Sequence, residues 1–303
     1  MLMYLLQLMD SQQLLTQLYR NNLFLIPLDA QGQWFRYHPL FADFLRHQQQ
    51  QHTPRRLPQL HQRAANWYAQ NGRLADAIHH ALAGELYDLA ADLIGQSNDA
   101  LFQRGEHALI LHRLAALPPA IIHNRLDLCL NYAWVLTLTG RYDDVEPLLQ
   151  TAESLLNRQA MQLSPTTQHN VQGNIANIRA YVAYAHDDMP TTRTQALTAR
   201  AILPEALADQ RTVAALHLGT AHLEEGNLAE AAAALQEAVQ ISQQADHPYL
   251  TLRAYNGLAW LHIVQGGLPQ AAATYQQALY LVEQYAQRGE RLLAEAIFWG
   301  LCQ

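Results

Sequence analysis

The 303-residue chain contains no lysine, so all 19 of its cationic side chains are arginine. Because a G-x-x-x-x-G-K-[ST] loop needs a lysine to reach the phosphates, this absence excludes a P-loop nucleotide site. The 26 acidic side chains leave a net charge of −7, the wrong sign for a domain that grips phosphate backbones. The composition therefore argues against direct DNA binding.

Cysteine and long apolar runs are also scarce. Cys129 and Cys302 lie far apart, which excludes a disulfide scaffold and a Cys-based zinc site. We expect Cys129 to be a small buried helix residue rather than a nucleophile. No apolar run reaches the length of a membrane span, and the apolar residues 1–9 lack the basic segment and cleavage site of a signal peptide. We expect a cytoplasmic protein that has a core helix at residues 1–9.

The polar side chains give no sign of a metal site or of catalysis. Histidines five apart point away from each other on a helix, adjacent ones diverge, and H-E-x-x-H does not occur. This applies to His107 and His112, to His217 and His222, and to His79 and His80. They are better interpreted as surface or groove histidines. The acidic pairs 143–144 and 187–188 follow turns, where carboxylates favour the next helix N-terminus. We expect no enzyme.

The first fifty residues predict a helix, a β-hairpin and a second helix. Residues 11–20 carry leucines on one helical face, two β-prone runs flank the Gly-containing linker 29–33, and a helix is predicted from about 39 to 50. This order matches the back half of a winged helix. A glutamine run and two prolines then indicate a linker, so we assign residues 1–52 to a partial winged-helix segment.

From residue 61 onward the pattern is helical throughout, and one turn sequence recurs. Its clearest copies are 71–77, 139–145, 225–231 and 265–271, with a degraded copy at 186–190. Seven residues before each turn position stands a small residue: Ala65, Ala133, Ala180, Gly219 and Ala259. Twelve residues after it stands an alanine in four copies: Ala152, Ala199, Ala238 and Ala278.

These positions have a structural meaning. A glycine can adopt the left-handed conformation that ends one helix and closes a tight turn, and small residues let two helix backbones approach. The pattern resembles the tetratricopeptide repeat, stretched to a period of about 40 residues. We therefore predict an all-α, tetratricopeptide-like right-handed superhelix over residues 53–303, truncated at its C-terminal end.

Several segments together resemble one regulator family. They are 22–29, 34–45, 61–68, 76–82, 104–106, 117–118 and 132–134. They look like the winged helix and following helices of the MalT-type regulators, the large ATP-binding LuxR-family members of the STAND branch. The likeness covers essentially the whole chain, and 22–45 is its most specific part.

The resemblance implies a sensor region rather than a whole regulator. Full-length members carry an ATPase module before this region and a DNA-binding helix-turn-helix after it, so this chain is similar to an internal slice. ATP or ADP is implied for a full-length relative, and no cofactor for this chain. His38 resembles the STAND histidine that reaches the β-phosphate of ADP, although Pro39 stands where those proteins have Asp. The alternative is that His38 anchors the hairpin to the helix.

The function implied is signal sensing and protein interaction, with partners of three kinds. The first is a small-molecule inducer or a peptide in the concave groove, and the second is the ATPase module of a full-length regulator. The third is another copy of the chain, through the apolar residues 296–301 at the open C-terminal end. The alternative function is a stand-alone repeat scaffold that binds a peptide or protein. We expect no membrane partner.

The repeat register also predicts which residues line the concave groove, because the first helix of each unit faces it. They are Asn131, Trp134, Asn177, Tyr181, Tyr184, His217, Thr220, Glu224, Arg253, Asn256 and Trp260. Amides and charged groups beside flat rings suit a sugar or another polar small molecule, and they suit a peptide equally. Trp134 and Trp260 could instead be helix-packing residues.

Overall fold

The computed structural model describes residues 11–29, 35–52 and 57–287. Within these residues the chain is helical apart from one two-stranded sheet. None of the helices described combines the length and apolar character that a membrane crossing requires. The packing divides the chain into two compact units, Met1–Gln96 and Ser97–Gln303. The predicted boundary at residues 52 and 53 lies inside the first unit and stays a prediction.

The N-terminal segment has the predicted order of helix, hairpin and helix. Helix α1 is Ser11–Arg20, strands β1 and β2 are Leu25–Pro27 and Phe35–Tyr37, and helix α2 is Pro39–His52. The strands pair antiparallel, with Leu25 opposite Tyr37. The predicted helix at residues 1–9 lies outside the described residues.

Aromatic contacts hold the hairpin to α2. The ring centroid of Phe41 lies 5.1 Å from that of Phe24 and 5.7 Å from that of Tyr37. Leu25 is buried, whereas Leu40 remains 75% exposed. Among the described residues of the segment, ring contacts thus join the hairpin to α2.

Thirteen further helices follow in the described residues. In the first unit α3 is Leu57–Gln70 and α4 is Leu74–Ala83, and α5, Tyr87–Gln103, comes next. The remainder are α6 His107–Ala115, α7 Pro119–His123, α8 Leu126–Leu138, α9 Val145–Gln159, α10 Pro165–Ala185, α11 Met189–Ile202, α12 Ala208–Glu224, α13 Leu228–Gln244, α14 Pro248–Val264 and α15 Leu268–Gln287. The apolar end at 296–301 lies outside the described residues.

The helices pack as consecutive hairpins, which confirms the tetratricopeptide-like prediction. Helix α3 packs on α4, α8 on α9, α10 on α11, α12 on α13 and α14 on α15. The first helices also contact one another in order, α8 with α10, α10 with α12 and α12 with α14. They therefore form one continuous layer, which we call the first-helix face.

The recurring turns share one backbone geometry. Gly226 and Gly266 have φ of +80° and +76°, in the left-handed region that glycine adopts without steric cost. In the degraded copy Asp187 keeps the same conformation, at φ +61°. After Gly226 the amide of Asn227 donates to the carbonyl of His222 at 2.8 Å, closing the helix end. The turn conformation is therefore kept in that copy, although aspartate replaces the glycine.

One repeat turn escaped the sequence analysis. Gly105 also has a left-handed φ, of +69°, and the amide of Glu106 donates to the carbonyl of Leu101 at 2.9 Å. It lies 33 residues after Gly72 and 35 before Gly140. A uniform period of about 40 residues is therefore wrong for the first copies. Asn98 stands seven residues before Gly105, where the other copies have alanine or glycine, so the small-residue pattern did not reveal this copy.

The small residues mark the closest helix crossings. The five alanine and glycine residues placed seven before the turns are buried, as predicted. At Gly219 an added Cβ would lie 2.6 Å from Cγ of Leu235, on the partner helix. Gly84, which was not predicted, lies twelve residues after Gly72, where the later copies have alanine, and a Cβ there would lie 2.6 Å from that of His61. Atoms of the neighbouring helix lie so close at these two crossings that a larger side chain has no room there.

Candidate ligand site on the first-helix face

All eleven predicted groove residues lie on four neighbouring helices of the first-helix face. Helix α8 carries two, α10 and α12 three each, and α14 three. Because these helices contact one another in order, residues far apart in sequence come close together. Their solvent exposure differs, however. Some of these side chains are buried in helix packing, whereas others are exposed where a ligand could contact them.

Two of the predicted groove residues, Trp134 and Asn177, donate hydrogen bonds within the protein. Nε1 of Trp134 donates to Oδ1 of Asn174 at 3.1 Å, which joins α8 to α10. Asn177 is fully buried and its Nδ2 donates to the carbonyl of Gln210 at 2.9 Å. Asn177 thus lies behind the surface that a ligand could reach, because its helix turns it toward α12. We correct its assignment from ligand contact to helix packing.

An aromatic and cationic cluster lies where α10, α12 and α14 meet. The ring of Tyr181 stands edge-on to that of His217, with centroids 5.6 Å apart. Cζ of Arg253 lies 5.7 Å from the centroid of the Tyr181 ring. We call Tyr181, His217 and Arg253 the central cluster. It brings together one residue from each of three successive repeats.

His217 is the buried member of the central cluster. It is 3% exposed, and burial, reinforced by the field of Arg253, lowers its pKa to about 3. Its Nε2 has no hydrogen-bond partner among the described residues. His217 is therefore a buried, neutral ring that contacts Tyr181. We correct its assignment: it packs behind the surface of the groove instead of lining it.

A contact between α6 and α14 involves two residues that the sequence analysis did not place in the site. The rings of His107 and Tyr249 lie edge-on with centroids 6.0 Å apart. The pKa of His107 is lowered, first by burial and then by the charge of Arg253. His107 follows the overlooked turn at Gly105, so recognition of that repeat would have been the signal.

The outer residues of the face are more open. Tyr184 and Trp260 are each 41% exposed, and Glu224 is exposed. Burial raises the pKa of Tyr184, and the charge of Glu224 raises it further. These three side chains are the predicted groove residues that a ligand could reach with the least rearrangement.

Two predicted positions are used partly for internal hydrogen bonds. Oγ1 of Thr220 donates to the carbonyl of Leu216 at 2.9 Å, one turn earlier. Asn256 accepts a bond from the hydroxyl of Tyr275 at 3.4 Å. Asn131 is half-buried on α8. None of the three belongs to the central cluster.

His38 joins the hairpin to α2 through its backbone. Its amide donates to the carbonyl of Phe24 at 2.7 Å, and its own carbonyl accepts from Ala42 at 2.9 Å. The imidazole itself is exposed. This geometry agrees with the anchoring alternative, and the nucleotide-sensing role remains a prediction for an intact relative.

The remaining candidate chemistry is structural. Cys129 is buried and its thiol donates to the carbonyl of Ile122, while burial raises its pKa to about 11, as expected for an unreactive thiol. In residues 11–29, 35–52 and 57–287 no three His, Cys, Asp or Glu side chains are grouped to hold a metal ion. The sequence analysis missed one histidine pair, in which Nδ1 of His61 lies 3.0 Å from Nδ1 of His80.

Comparison with known proteins gives matches at both ends of the chain. The MalT winged helix domain matches residues 2–57, and the MalT-like TPR region matches residues 173–299. The HTH-type transcriptional regulator MalT of Yersinia enterocolitica is 32% identical over 245 residues. That alignment covers 81% of this chain and 27% of the relative, and MalT of Yersinia pestis gives the same values.

Likeness to solved structures is weaker. BtubC (BKLC) from P. vanneervenii is 14% identical, with a TM-score of 0.45, and covers 78% of this chain and 93% of its own. Its TM-score is too low to carry weight, so the assignment rests on the sequence matches. The chain spans about a quarter of the length of the curated relatives, and it carries a MalT winged-helix segment followed by MalT-like tetratricopeptide repeats.

Proposed function

We propose that this chain is the signal-sensing and interaction region of an ATP-dependent LuxR-family transcriptional regulator, and that its first-helix face binds a small polar molecule. One observation carries the proposal: Tyr181, His217 and Arg253 converge from three successive repeats. A polar cluster shared between repeats suits recognition better than stability, since partly buried charge is costly to maintain without a partner.

The mechanism we propose is a shift in population between two packings of the repeats. A ligand that contacts α10, α12 and α14 together favours the arrangement in which its contacts are all made. Because each hairpin packs on the next, a changed angle between two repeats moves the helices beyond them. Ligand binding would thereby change the surface that the repeats present to a partner.

The partners follow from the relatives, of which this chain spans 27%. We propose that the ATPase module of a full-length regulator receives the response, and that ATP or ADP binds there and not to this chain. We propose neither catalysis nor direct DNA contact for this region. A cytoplasmic location is part of the same proposal, because the relatives are transcriptional regulators.

The alternative of a stand-alone peptide-binding scaffold predicts a different ligand. A peptide would extend along the face from α8 to α14, whereas a small molecule would depend on the central cluster. No observation favours the peptide, so it serves as the competing outcome of the experiment.

The experiment is a fluorescence screen of the purified 303-residue chain with polar metabolites. A true inducer should shift the tryptophan emission, because the exposed Trp260 lies on the same face. Tyr181→Ala should weaken binding by about 1–3 kcal/mol. Tyr280→Ala serves as the control, since Tyr280 is exposed on the second-helix side, on α15.

Two results would contradict the proposal. One is a ligand that binds Tyr181→Ala as tightly as the unmodified chain. The other is a screen in which extended peptides bind and no small molecule does, which would favour the scaffold.

A further inference from the structure

Arg253, on α14, differs in its surroundings from the arginines of α10, α11 and α12. Arg179, Arg193, Arg200 and Arg211 each have a carboxylate oxygen within 4.0 Å. Arg253 has none among the described residues, although it is half-buried. Its Cζ lies 5.7 Å from the centroid of the Tyr181 ring. The first-helix face therefore holds a partly desolvated positive charge that the protein does not neutralise.

The polar groups around Arg253 do not supply the missing negative charge. His217 and His107 both lie within its field, and Nε2 of each is buried without a hydrogen-bond partner in the described part of the chain. A neutral imidazole nitrogen donates or accepts according to its tautomer, so both rings can adapt to a bound group. Among the described residues, Arg253 thus has no carboxylate partner within 4.0 Å, and the two imidazoles on which its charge acts each have an unpartnered Nε2.

We infer that Arg253 is the anion-binding residue of the first-helix face and takes the phosphate or carboxylate group of a small molecule. A guanidinium presents parallel N–H donors that match the oxygens of either group. The ring of Tyr181 beside it provides a flat surface for the body of the ligand. This inference rests on the proposed function and adds the charge of the ligand to it.

Glu224 indicates how such a ligand would be oriented. It is exposed, and its charge and that of Arg253 both act on Tyr184, with opposite effects on the pKa of that hydroxyl. A carboxylate repels an anion and accepts hydrogen bonds from hydroxyl or ammonium groups. The anionic group of the ligand therefore belongs beside Arg253 and away from Glu224, and hydroxyls or an amine suit the neighbourhood of Glu224.

The experiment measures binding of four probes to the full chain by calorimetry at constant ionic strength. Glucose 6-phosphate and glucose compare one body with and without the anionic group, while inorganic phosphate and acetate distinguish the two sources of charge. Constant ionic strength is needed because salt screens such contacts. We expect saturable binding of at least one anion, and glucose alone to bind at least about tenfold more weakly than glucose 6-phosphate.

Variants assign the effect to one side chain. Arg253→Gln should weaken anion binding about tenfold or more, and Arg253→Lys should retain part of it. Arg200→Gln is the matched control, because Arg200 is an ion-paired arginine on α11, outside the face. Circular dichroism and the melting temperature of each variant show that it is folded. In NMR spectra the imidazole signals of His217 and His107 should shift with the anion.

The outcomes separate this inference from the proposed function. Equal anion binding by Arg253→Gln and the unmodified chain overturns the inference, as does saturable binding of no anion. A neutral ligand that binds with a tryptophan shift and depends on Tyr181 would keep the proposed function while overturning the anionic assignment. Loss of anion binding in Arg200→Gln to the same extent as in Arg253→Gln also counts against it.

Discussion

The N-terminal segment and the repeat hairpins bury their apolar residues very differently. In the segment Leu15 and Leu25 are buried, while a larger group of apolar side chains is exposed: Tyr19, Leu23, Phe24, Leu28, Tyr37, Leu40 and Phe44. In the repeats a core runs from hairpin to hairpin, as in the cluster around Leu235. Yet this segment is recognisable from its sequence, since the MalT winged helix domain matches residues 2–57. A recognisable motif and a stabilising core are therefore separate properties of this chain.

The largest expected effect tests that contrast directly. Leu235 is 1% exposed and packs against the backbones of α12 and α14 at Gly219 and Gly257. Leu235→Ala should destabilise the protein by about 2–5 kcal/mol, through lost burial and the cavity left behind. Leu40→Ala, at a side chain 75% exposed, should change stability by at most about 0.5 kcal/mol. Urea denaturation measures both, and equal losses would refute the contrast.

The second effect concerns the buried histidine of the central cluster. His217 has a pKa of about 3 in the folded chain, well below its unfolded value of 6.5. Above pH 6.5 its ring is neutral in both states, and stability is full. As the pH falls from 6.5 toward 3 the unfolded chain gains a proton that the folded chain does not, so stability should fall by about 1.4 kcal/mol per pH unit. Denaturation midpoints between pH 7 and 4.5 measure this.

A variant is needed to assign this pH dependence of stability to His217, because burial also lowers the pKa of three other histidines, His61, His80 and His107. His217→Phe keeps a ring against Tyr181 and removes the titration, so its stability should depend less steeply on pH. His169→Phe, at an exposed ring, controls for the substitution itself. An unchanged slope in His217→Phe would show that this ring is not the group excluded from protonation.

The third effect concerns the helix crossings. Ala at position 219 would place its Cβ 2.6 Å from Cγ of Leu235, so α12 and α13 would have to separate. Gly219→Ala should therefore destabilise by about 1–3 kcal/mol, although alanine favours helix by about 0.5–1 kcal/mol. Gly267→Ala is the control, because its Cβ would meet mainly the flexible end of Gln270, at 3.0 Å. A neutral Gly219→Ala would mean that the crossing is loosely packed.

The repeats were predictable from sequence because glycine and alanine recur there for backbone reasons. The turn at Gly105 was missed because Asn98 stands at its small-residue position, where the residue type gives no signal. Helical spacing places the predicted groove residues on four helices of one face, and their role in binding a ligand stays a prediction. Their burial was not predictable, because whether Asn177 or His217 reaches the surface depends on neighbouring helices.

The smallest expected effect comes from substitutions at a turn glycine, which test backbone conformation separately from side-chain packing. Gly226 has φ of +80°, and a Cβ there would meet nothing within 4 Å, so any loss on substitution comes from conformation alone. Gly226→Val should cost roughly 1 kcal/mol or more, because a β-branched residue is strained in the left-handed region. Gly226→Asn should cost less, since asparagine tolerates that region. Denaturation of both variants tests the order, and a valine no worse than asparagine would mean that the turn relaxes out of the left-handed conformation. In that case the close packing of the two helices in each hairpin would depend on the small residues at the helix crossings and not on the turn glycine.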